Sequence, residues 1–199
     1  MFASAFRMAP FSLFLGLLLA SGASADDKKV ELNVGDKAPA FEARTDADAT
    51  WDSAERFGKK WVVVYFYPGD FTPGCTAQAR AFREAMHKLT EKGVEVVGVS
   101  GDSVETHALF KKAQKLNFTL LADEEGAIAK LFGVPVGKGG KVKAKDAEGQ
   151  PVEITRNVTA ARWTFVIGKD GRIVYKNVKV TPALDAKAIT EFIAKAESK

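Results

Sequence analysis

Apolar runs of strand length alternate with longer helical segments over most of this 199-residue chain. Strands are predicted at 61–67, 94–100 and 119–122, and helices at 72–92, 103–116, 125–132 and 183–197. A hairpin with strands at 164–167 and 172–177 is predicted around the turn signal at 169–171. This order of elements predicts an α/β architecture with parallel strands at the centre of the sheet.

Cys75 is the single cysteine of the chain, which excludes an internal disulfide. It falls in the first turn of the helix predicted over 72–92, with Thr72 as the expected N-cap and Pro73 as the first helical residue. Backbone N–H groups and the helix dipole stabilise an anion at such a place, and the thiolate is the reactive form of cysteine. A free cysteine is also often a small buried core residue, so position alone leaves both readings open.

The stretch YFYPGDFTPGC, residues 65–75, places Pro68, Thr72 and Cys75 in the pattern Pro-x-x-x-Thr-x-x-Cys. It resembles the active-site motif of the peroxiredoxins, in particular their bacterioferritin-comigratory (Q-type) subgroup. A distant stretch, RWTFVIGKDGRI, begins at Arg162 and is similar to the strand that carries the active-site arginine of that family. The resemblance runs from about residue 32 to the C terminus, and it implies a thioredoxin-like fold with a central mixed sheet flanked by helices.

The resemblance also implies an activity: thiol-dependent reduction of hydrogen peroxide or organic hydroperoxides, with a sulfenic acid formed on Cys75. It implies that the Thr72 hydroxyl and the backbone N–H of Cys75 contact the peroxide and that Pro68 shields the pocket. Arg162 would stabilise the thiolate and the developing charge, since a guanidinium stays protonated and offers several donors in a fixed fork. The structural alternatives are that Thr72 only caps the helix and that Arg162 forms a surface ion pair.

The chain departs from the Q-type pattern at Arg80, where many members carry a second, resolving cysteine five residues after the first. A one-cysteine cycle is therefore implied, in which an external thiol reduces the sulfenic acid of Cys75. Glutathione, another small thiol or a thioredoxin-like protein would serve as this partner. The competing hypothesis is a non-catalytic thioredoxin-like binding or redox-sensing module, but the retention of Thr72 and Arg162 favours the enzyme.

The first 25 residues have the pattern of a secretory signal peptide. Arg7 provides the positive charge, residues 11–20 the short apolar run, and residues 23–25 an Ala-Ser-Ala cleavage site. An uncleaved anchor is the alternative. We expect cleavage to release residues 26–199 as a single peroxiredoxin domain that is periplasmic or secreted and has no stable membrane anchor.

Several other function classes are disfavoured by the sequence. The formal net charge of +4 is mild, and the Gly-interrupted basic run at 138–145 is typical of a solvated loop rather than a nucleic-acid site. His87 and His107 lack metal-ligand spacing, and a cysteine–histidine peptidase pair has no supporting motif. We expect no cofactor, no metal and no nucleic-acid partner, and a monomer.

The least familiar segment is 135–160, which is rich in glycine and lysine and precedes Arg162. We expect an extended loop or a small hairpin there, inserted before the arginine strand. A surface decoration is favoured over a segment that shapes the rim of the site.

Overall fold

The structure, a computed structural model, describes Met1 and residues 30–198, so the predicted signal peptide and its cleavage site lie outside the described residues. The strands are β1 Glu42–Thr45, β2 Thr50–Asp52, β3 Trp61–Phe66, β4 Val94–Ser100, β5 Thr119–Ala122, β6 Val136–Lys145, β7 Pro151–Ala160, β8 Trp163–Ile167 and β9 Ile173–Asn177. The α-helices are α1 Pro73–Glu91, α2 Val104–Gln114, α3 Ala127–Leu131 and α4 Asp185–Glu197, with 3-10 turns at Ser53–Glu55 and Pro182–Leu184.

The main sheet of the described residues has seven strands in the order β2-β1-β5-β4-β3-β8-β9. The three central strands β5, β4 and β3 are parallel, and β8 and β1 pair with them antiparallel. The predicted α/β architecture with a central mixed sheet is therefore confirmed. The predicted strands and helices are present with bounds that shift by at most two residues, whereas the short strands β1 and β2 were not predicted.

Successive side chains of the central strands point to opposite faces of the sheet, and each face is buried against a different layer. One face packs under α1 and α4, with aromatic residues of β3 and α1 such as Tyr65 and Phe82 stacked at 4.9 Å. The other face packs against α3 and the N-terminal segment, where Phe132 contacts Phe66 and Phe165. Cys75 belongs to the first of these layers, so the start of α1 is seated on the sheet at the end of β3.

The segment 135–160 forms the two-stranded hairpin β6–β7, apart from the main sheet. The predicted small hairpin is thus confirmed. Most of its charged residues are exposed, but Arg156 on β7 is only 6% exposed. A purely decorative hairpin would not bury this charge, so the structure contradicts the surface-decoration interpretation for β7.

None of the helices in the described range is long and apolar enough to cross a membrane.

Candidate active site

The register of two strands brings the distant halves of the sequence motif together. Antiparallel pairing of β3 with β8 sets Phe66 opposite Trp163, so Arg162 lies beside the point where β3 ends. The loop 67–72 starts at that same point and leads directly into α1. Cys75 and Arg162, which are 87 residues apart in the chain, are neighbours as a result.

The contact between these two residues is direct. Nη2 of Arg162 donates to Sγ of Cys75 across 3.1 Å. Cys75 is 1% exposed, and Arg162 is partly buried above it. A guanidinium at this distance brings both a positive charge and an N–H donor to the sulfur atom. The surface ion pair considered for Arg162 is therefore not what the structure shows.

A second hydrogen bond orients the arginine. Nη1 of Arg162 donates to the side-chain oxygen of Gln78, and Nε2 of Gln78 donates to Asp185 across 2.7 Å. The hydroxyl of Thr164 donates to the same Asp185 oxygen across 2.7 Å. Burial raises the pKa of Asp185, although its hydrogen bonds with Thr164 and Gln78 and the charge of Arg162 oppose this shift. The guanidinium is thus fixed by a buried chain of polar groups that ends at the start of α4.

Thr72 occupies the N-cap position of α1 with extended backbone angles, but its side chain makes no capping hydrogen bond. Its hydroxyl donates instead to the carbonyl of Gly69 across 3.1 Å. Thr72 is thus the N-cap residue as predicted, but its side chain does not cap the helix, because its hydroxyl is bonded to the loop carbonyl. The first-turn N–H groups are left uncapped by Thr72, an arrangement that suits an incoming oxygen atom. Pro68 lies partly buried in the same loop.

The histidines considered as alternatives do not serve Cys75. His87 is exposed on α1 beside Glu91. His107 is fully buried, with Nδ1 2.8 Å from a carboxylate oxygen of Asp70 and Nε2 3.2 Å from the carbonyl of Leu121. Burial by itself favours the neutral imidazole, but the Asp70 carboxylate outweighs it and raises the pKa of His107. A peptidase-like pair is thus excluded by geometry, and His107 is a core histidine.

Trp163, the neighbour of Arg162 in the sequence, packs against the layer on the opposite face of the sheet from Cys75. Its ring centroid lies 6.1 Å from that of Phe165. Trp163 therefore packs against the core and does not line the side of the sheet that carries Cys75.

Sequence reasoning missed Gln78 and Asp185. Gln78 follows Cys75 by three residues and so lies on the same helix face, a spacing that could have revealed it. Asp185 lies 107 residues beyond Gln78, and no local signal connects the two. Among the described residues, no group of three or more histidine, cysteine or acidic side chains is arranged to hold a metal ion.

A sequence profile of the AhpC/TSA family matches residues 34–176. The chain belongs to the AhpC/TSA family. Within it, this peroxiredoxin is a one-cysteine member of the Q group. It is 40% identical to a peroxiredoxin bcp of Coxiella burnetii over 155 residues, which cover 76% of this chain and 93% of that protein.

This peroxiredoxin is also 40% identical to the chloroplastic peroxiredoxin Q of Oryza sativa subsp. japonica over 145 residues. The match covers 73% of this chain but 58% of the rice protein, so this peroxiredoxin spans less than two thirds of that relative's length.

Solved structures agree with this assignment. Peroxidoxin BcpB of Mycobacterium tuberculosis superposes with a TM-score of 0.68 at 25% identity, covering 83% of this chain and 98% of that one. The bacterioferritin comigratory protein of Xanthomonas campestris, a protein described as reducing alkyl peroxides, superposes with a TM-score of 0.64 at 28% identity, covering 80% and 92% of the two chains. The thioredoxin-like fold of this peroxiredoxin is thereby confirmed.

Proposed function

We propose that this peroxiredoxin is a thiol-dependent peroxidase that reduces hydrogen peroxide or organic hydroperoxides through Cys75. The single observation that carries the proposal is the 3.1 Å contact of the Arg162 guanidinium with Sγ of Cys75 in the first turn of a helix. The guanidinium meets the sulfur at the N-terminal turn of a helix that the Thr72 side chain does not cap, and positive charge and free donors suit a reaction with a migrating negative charge.

In the proposed first step, the Cys75 thiolate attacks one oxygen of the peroxide and a sulfur–oxygen bond forms as the oxygen–oxygen bond breaks. The distal oxygen leaves with the electron pair as hydroxide or alkoxide and takes up a proton to become water or an alcohol. Negative charge moves from sulfur to the leaving oxygen, so donors fixed near both atoms lower the barrier. Arg162 would serve both positions, Thr72 and the Cys75 N–H would contact the peroxide, and Pro68 would shield it.

In the proposed second step, an external thiolate attacks the sulfenic sulfur of Cys75, and hydroxide leaves as water. A second thiol then attacks the mixed disulfide and releases Cys75 in its reduced form, so two thiols become one disulfide in each cycle. The external reductant follows from the absence of a second cysteine in the sequence. Because Cys75 is 1% exposed, a small thiol such as glutathione reaches it with less rearrangement than a thioredoxin-like protein.

The proposal is tested by measuring how fast the purified protein consumes hydrogen peroxide. Separate reactions contain glutathione, another small thiol or a thioredoxin-like protein as the reductant. Catalytic consumption that depends on the added thiol supports the peroxidase. The second candidate function is a redox-sensing module, which is favoured only by the missing resolving cysteine. Oxidation of Cys75 by one equivalent of peroxide without turnover in any reductant would support that sensor and refute the enzyme.

We further propose that residues 1–25 are an export signal, that residues 26–199 form one domain, and that the protein acts in the periplasm or is secreted. The positive charge, the short apolar run and the Ala-Ser-Ala site support this proposal. We also propose that it acts as a monomer. Large exposed hydrophobic side chains of the described residues are few and include Val34, Val178 and Leu184, which supports a surface without an extensive apolar interface.

A further inference from the structure

The hairpin β6–β7 sends one charged side chain into the protein. Arg156 is 6% exposed, whereas Lys141 and Glu153 of the same hairpin form an exposed pair. Nε of Arg156 donates to Oδ1 of Asp102 across 2.9 Å, and the Asp102 side chain is fully buried. Two buried charges are tolerated only when their geometry is good and their remaining hydrogen-bonding groups are satisfied. The other groups that hydrogen-bond to Arg156 and Asp102 therefore identify the segment that this ion pair holds in place.

The other arm of Arg156 reaches the loop that precedes the reactive cysteine. Nη2 of Arg156 donates to the backbone carbonyl of Asp70 across 3.0 Å. The guanidinium also lies against Gly69, where an added Cβ would stand only 2.2 Å from Cζ of Arg156. Glycine at position 69 thus permits a close approach that any side chain would block. The hairpin is consequently pinned to the active-site loop at two adjacent residues.

Asp102, the partner of Arg156, also binds Asp70. Its Oδ2 accepts from the backbone N–H of Asp70 across 2.7 Å and from the Ser100 hydroxyl across 2.8 Å. Both backbone polar groups of Asp70 are therefore bonded to the Arg156–Asp102 pair. The Asp70 carboxylate is itself bonded to the Tyr67 hydroxyl and to His107, at 2.8 Å each. Asp70 is fixed through its N–H, its carbonyl and both side-chain oxygens.

The backbone conformation of the residue after Asp70 explains why Asp70 must be held in place. Phe71 has φ = 61°, in the left-handed region that a bulky side chain rarely adopts. A conformation of this kind costs free energy and persists only where neighbouring contacts impose it. Phe71 is followed directly by Thr72 and the first turn of α1, so relaxation of its backbone would turn Thr72 and the N–H groups around Cys75.

We propose that Arg156 is a positioning residue for the peroxidase reaction: its ion pair with Asp102 holds Asp70, and through it Phe71 and Thr72, in the geometry that receives the peroxide. This inference rests on the proposed function. Arg156 touches neither Cys75 nor Arg162 in the hydrogen bonds of the described residues, so it acts through the loop. The inserted hairpin thereby supports the active-site loop.

The test compares Arg156→Met and Arg156→Lys with the matched control Lys141→Met, which removes an exposed charge from the same hairpin. Two rates are measured well below the unfolding temperature: oxidation of Cys75 by hydrogen peroxide, and alkylation of Cys75 by iodoacetamide. Oxidation needs the positioned loop, whereas alkylation needs only a reachable thiolate. A misplacement near 1 Å costs up to about a hundredfold in rate, so we expect Arg156→Met to be oxidised about tenfold to a hundredfold more slowly.

Alkylation of Arg156→Met should proceed at the wild-type rate or faster, and Lys141→Met should match wild type in both reactions. Arg156→Lys should be oxidised at an intermediate rate, because an ammonium keeps the charge but cannot span two acceptors as the guanidinium fork does. Wild-type oxidation kinetics in a folded Arg156→Met, with only a lower unfolding temperature, would overturn the inference. Oxidation and alkylation slowed equally would also overturn it, since that result points to loss of the thiolate.

Removing Arg156 alone leaves Asp102 as a buried unpaired charge, and this can prevent folding. The double variant Arg156→Met/Asp102→Asn removes both charges and is measured in the same way, with the same expected slow oxidation. In the wild-type protein, amide hydrogen exchange at Asp70 should be slow because its N–H is bonded to Asp102; exchange as fast as in an open loop overturns the inference without any variant. Failure of wild-type Cys75 to react with peroxide would instead refute the proposed function.

Discussion

Replacing Arg162 by alanine removes the group whose Nη2 lies 3.1 Å from Sγ of Cys75. The change also leaves Gln78 without the donor that its side-chain oxygen accepts from, while Asp185 keeps its contacts with Gln78 and Thr164. Because Arg162 is only partly buried, its loss opens no large core cavity and the protein should stay folded. The perturbation is therefore confined to the charge and the hydrogen bonds at the sulfur.

The size of the effect follows from the geometry. Coulomb's law at that separation, with an effective dielectric constant of about 20, gives roughly 5 kcal/mol of gross attraction between thiolate and guanidinium. Water takes over part of this attraction because Arg162 is only partly buried, so the net loss is smaller. Removal of one oriented donor from a site of developing negative charge costs about 2.7–4 kcal/mol, or about 10²–10³ in rate. We expect the oxidation of Cys75 in Arg162→Ala to slow by that factor.

The assay mixes reduced protein rapidly with hydrogen peroxide, quenches the reaction with a thiol-alkylating reagent, and counts oxidised and alkylated protein by mass spectrometry. This isolates the first oxidation from the later reaction with reductant. The matched control is Arg44→Ala, which removes an exposed arginine paired with Asp48 and should react at the wild-type rate. Arg162→Lys should recover part of the rate, because the ammonium restores charge but not the fork that meets Cys75 and Gln78 together.

A rate within threefold of wild type for a folded Arg162→Ala, on the order of 0.6 kcal/mol, would refute the reasoning. It would mean that the helix terminus alone stabilises the transition state.

Five further outcomes are expected. Cys75→Ser should lose peroxide reduction, because a serine hydroxyl is hardly ionised at neutral pH; thiol-dependent consumption of peroxide by that variant would contradict the assigned nucleophile. One equivalent of peroxide should add one oxygen to the wild-type protein with no loss of two hydrogens, and excess peroxide should add more. Arg80→Cys should form an internal disulfide with Cys75, but slowly. Positions i and i+5 of a helix lie about 8.7 Å apart at Cα, and a disulfide needs less than about 7 Å, so the start of α1 must first unwind. If mass spectrometry finds only sulfenic and sulfinic forms in that variant, the start of α1 does not open.

The stabilising contribution of His107 should depend on pH, because Asp70 raises its pKa in the folded protein. A group whose pKa is raised by folding contributes stability that is fully present below its pKa in the unfolded chain, which is about 6.5 for histidine. This stability is lost as the pH rises through the pKa of the folded protein. The difference in unfolding free energy between wild type and His107→Asn, from urea titrations, should therefore shrink as the pH rises, and a constant difference would contradict the argument. Intact mass of the exported protein should give Asp26 as its first residue, whereas a chain that still begins at Met1 would exclude cleavage.

The order of elements and the start of α1 were determined by local signals in the sequence. Alternation of apolar runs with helical segments predicted the central strands, and Pro73 at the first helical position placed Cys75 in the first turn, as the structure confirms. The helix ends at Glu91, and Gly93 follows in the left-handed conformation that terminates such helices. These features depend on a few neighbouring residues, so a single sequence was sufficient to predict them.

Long-range polar contacts were decided by the tertiary structure. The motif of the family named Arg162, but its 3.1 Å distance from Cys75 depends on the register of β3 with β8. The chain of hydrogen bonds from Gln78 to Asp185 joins residues 107 positions apart, and the pairing of Arg156 with Asp102 joins residues 54 positions apart.

Arg156 had one overlooked signal, since it follows Val152 and Ile154 at period two and so occupies the apolar, inward-facing row of its strand. That row shows that the charge is buried, but it does not identify the partner. Local periodicity fixes which way a side chain faces, because it reflects backbone geometry over a few residues. Which group it then meets depends on how separate elements pack, and no pattern within one segment of the sequence encodes that.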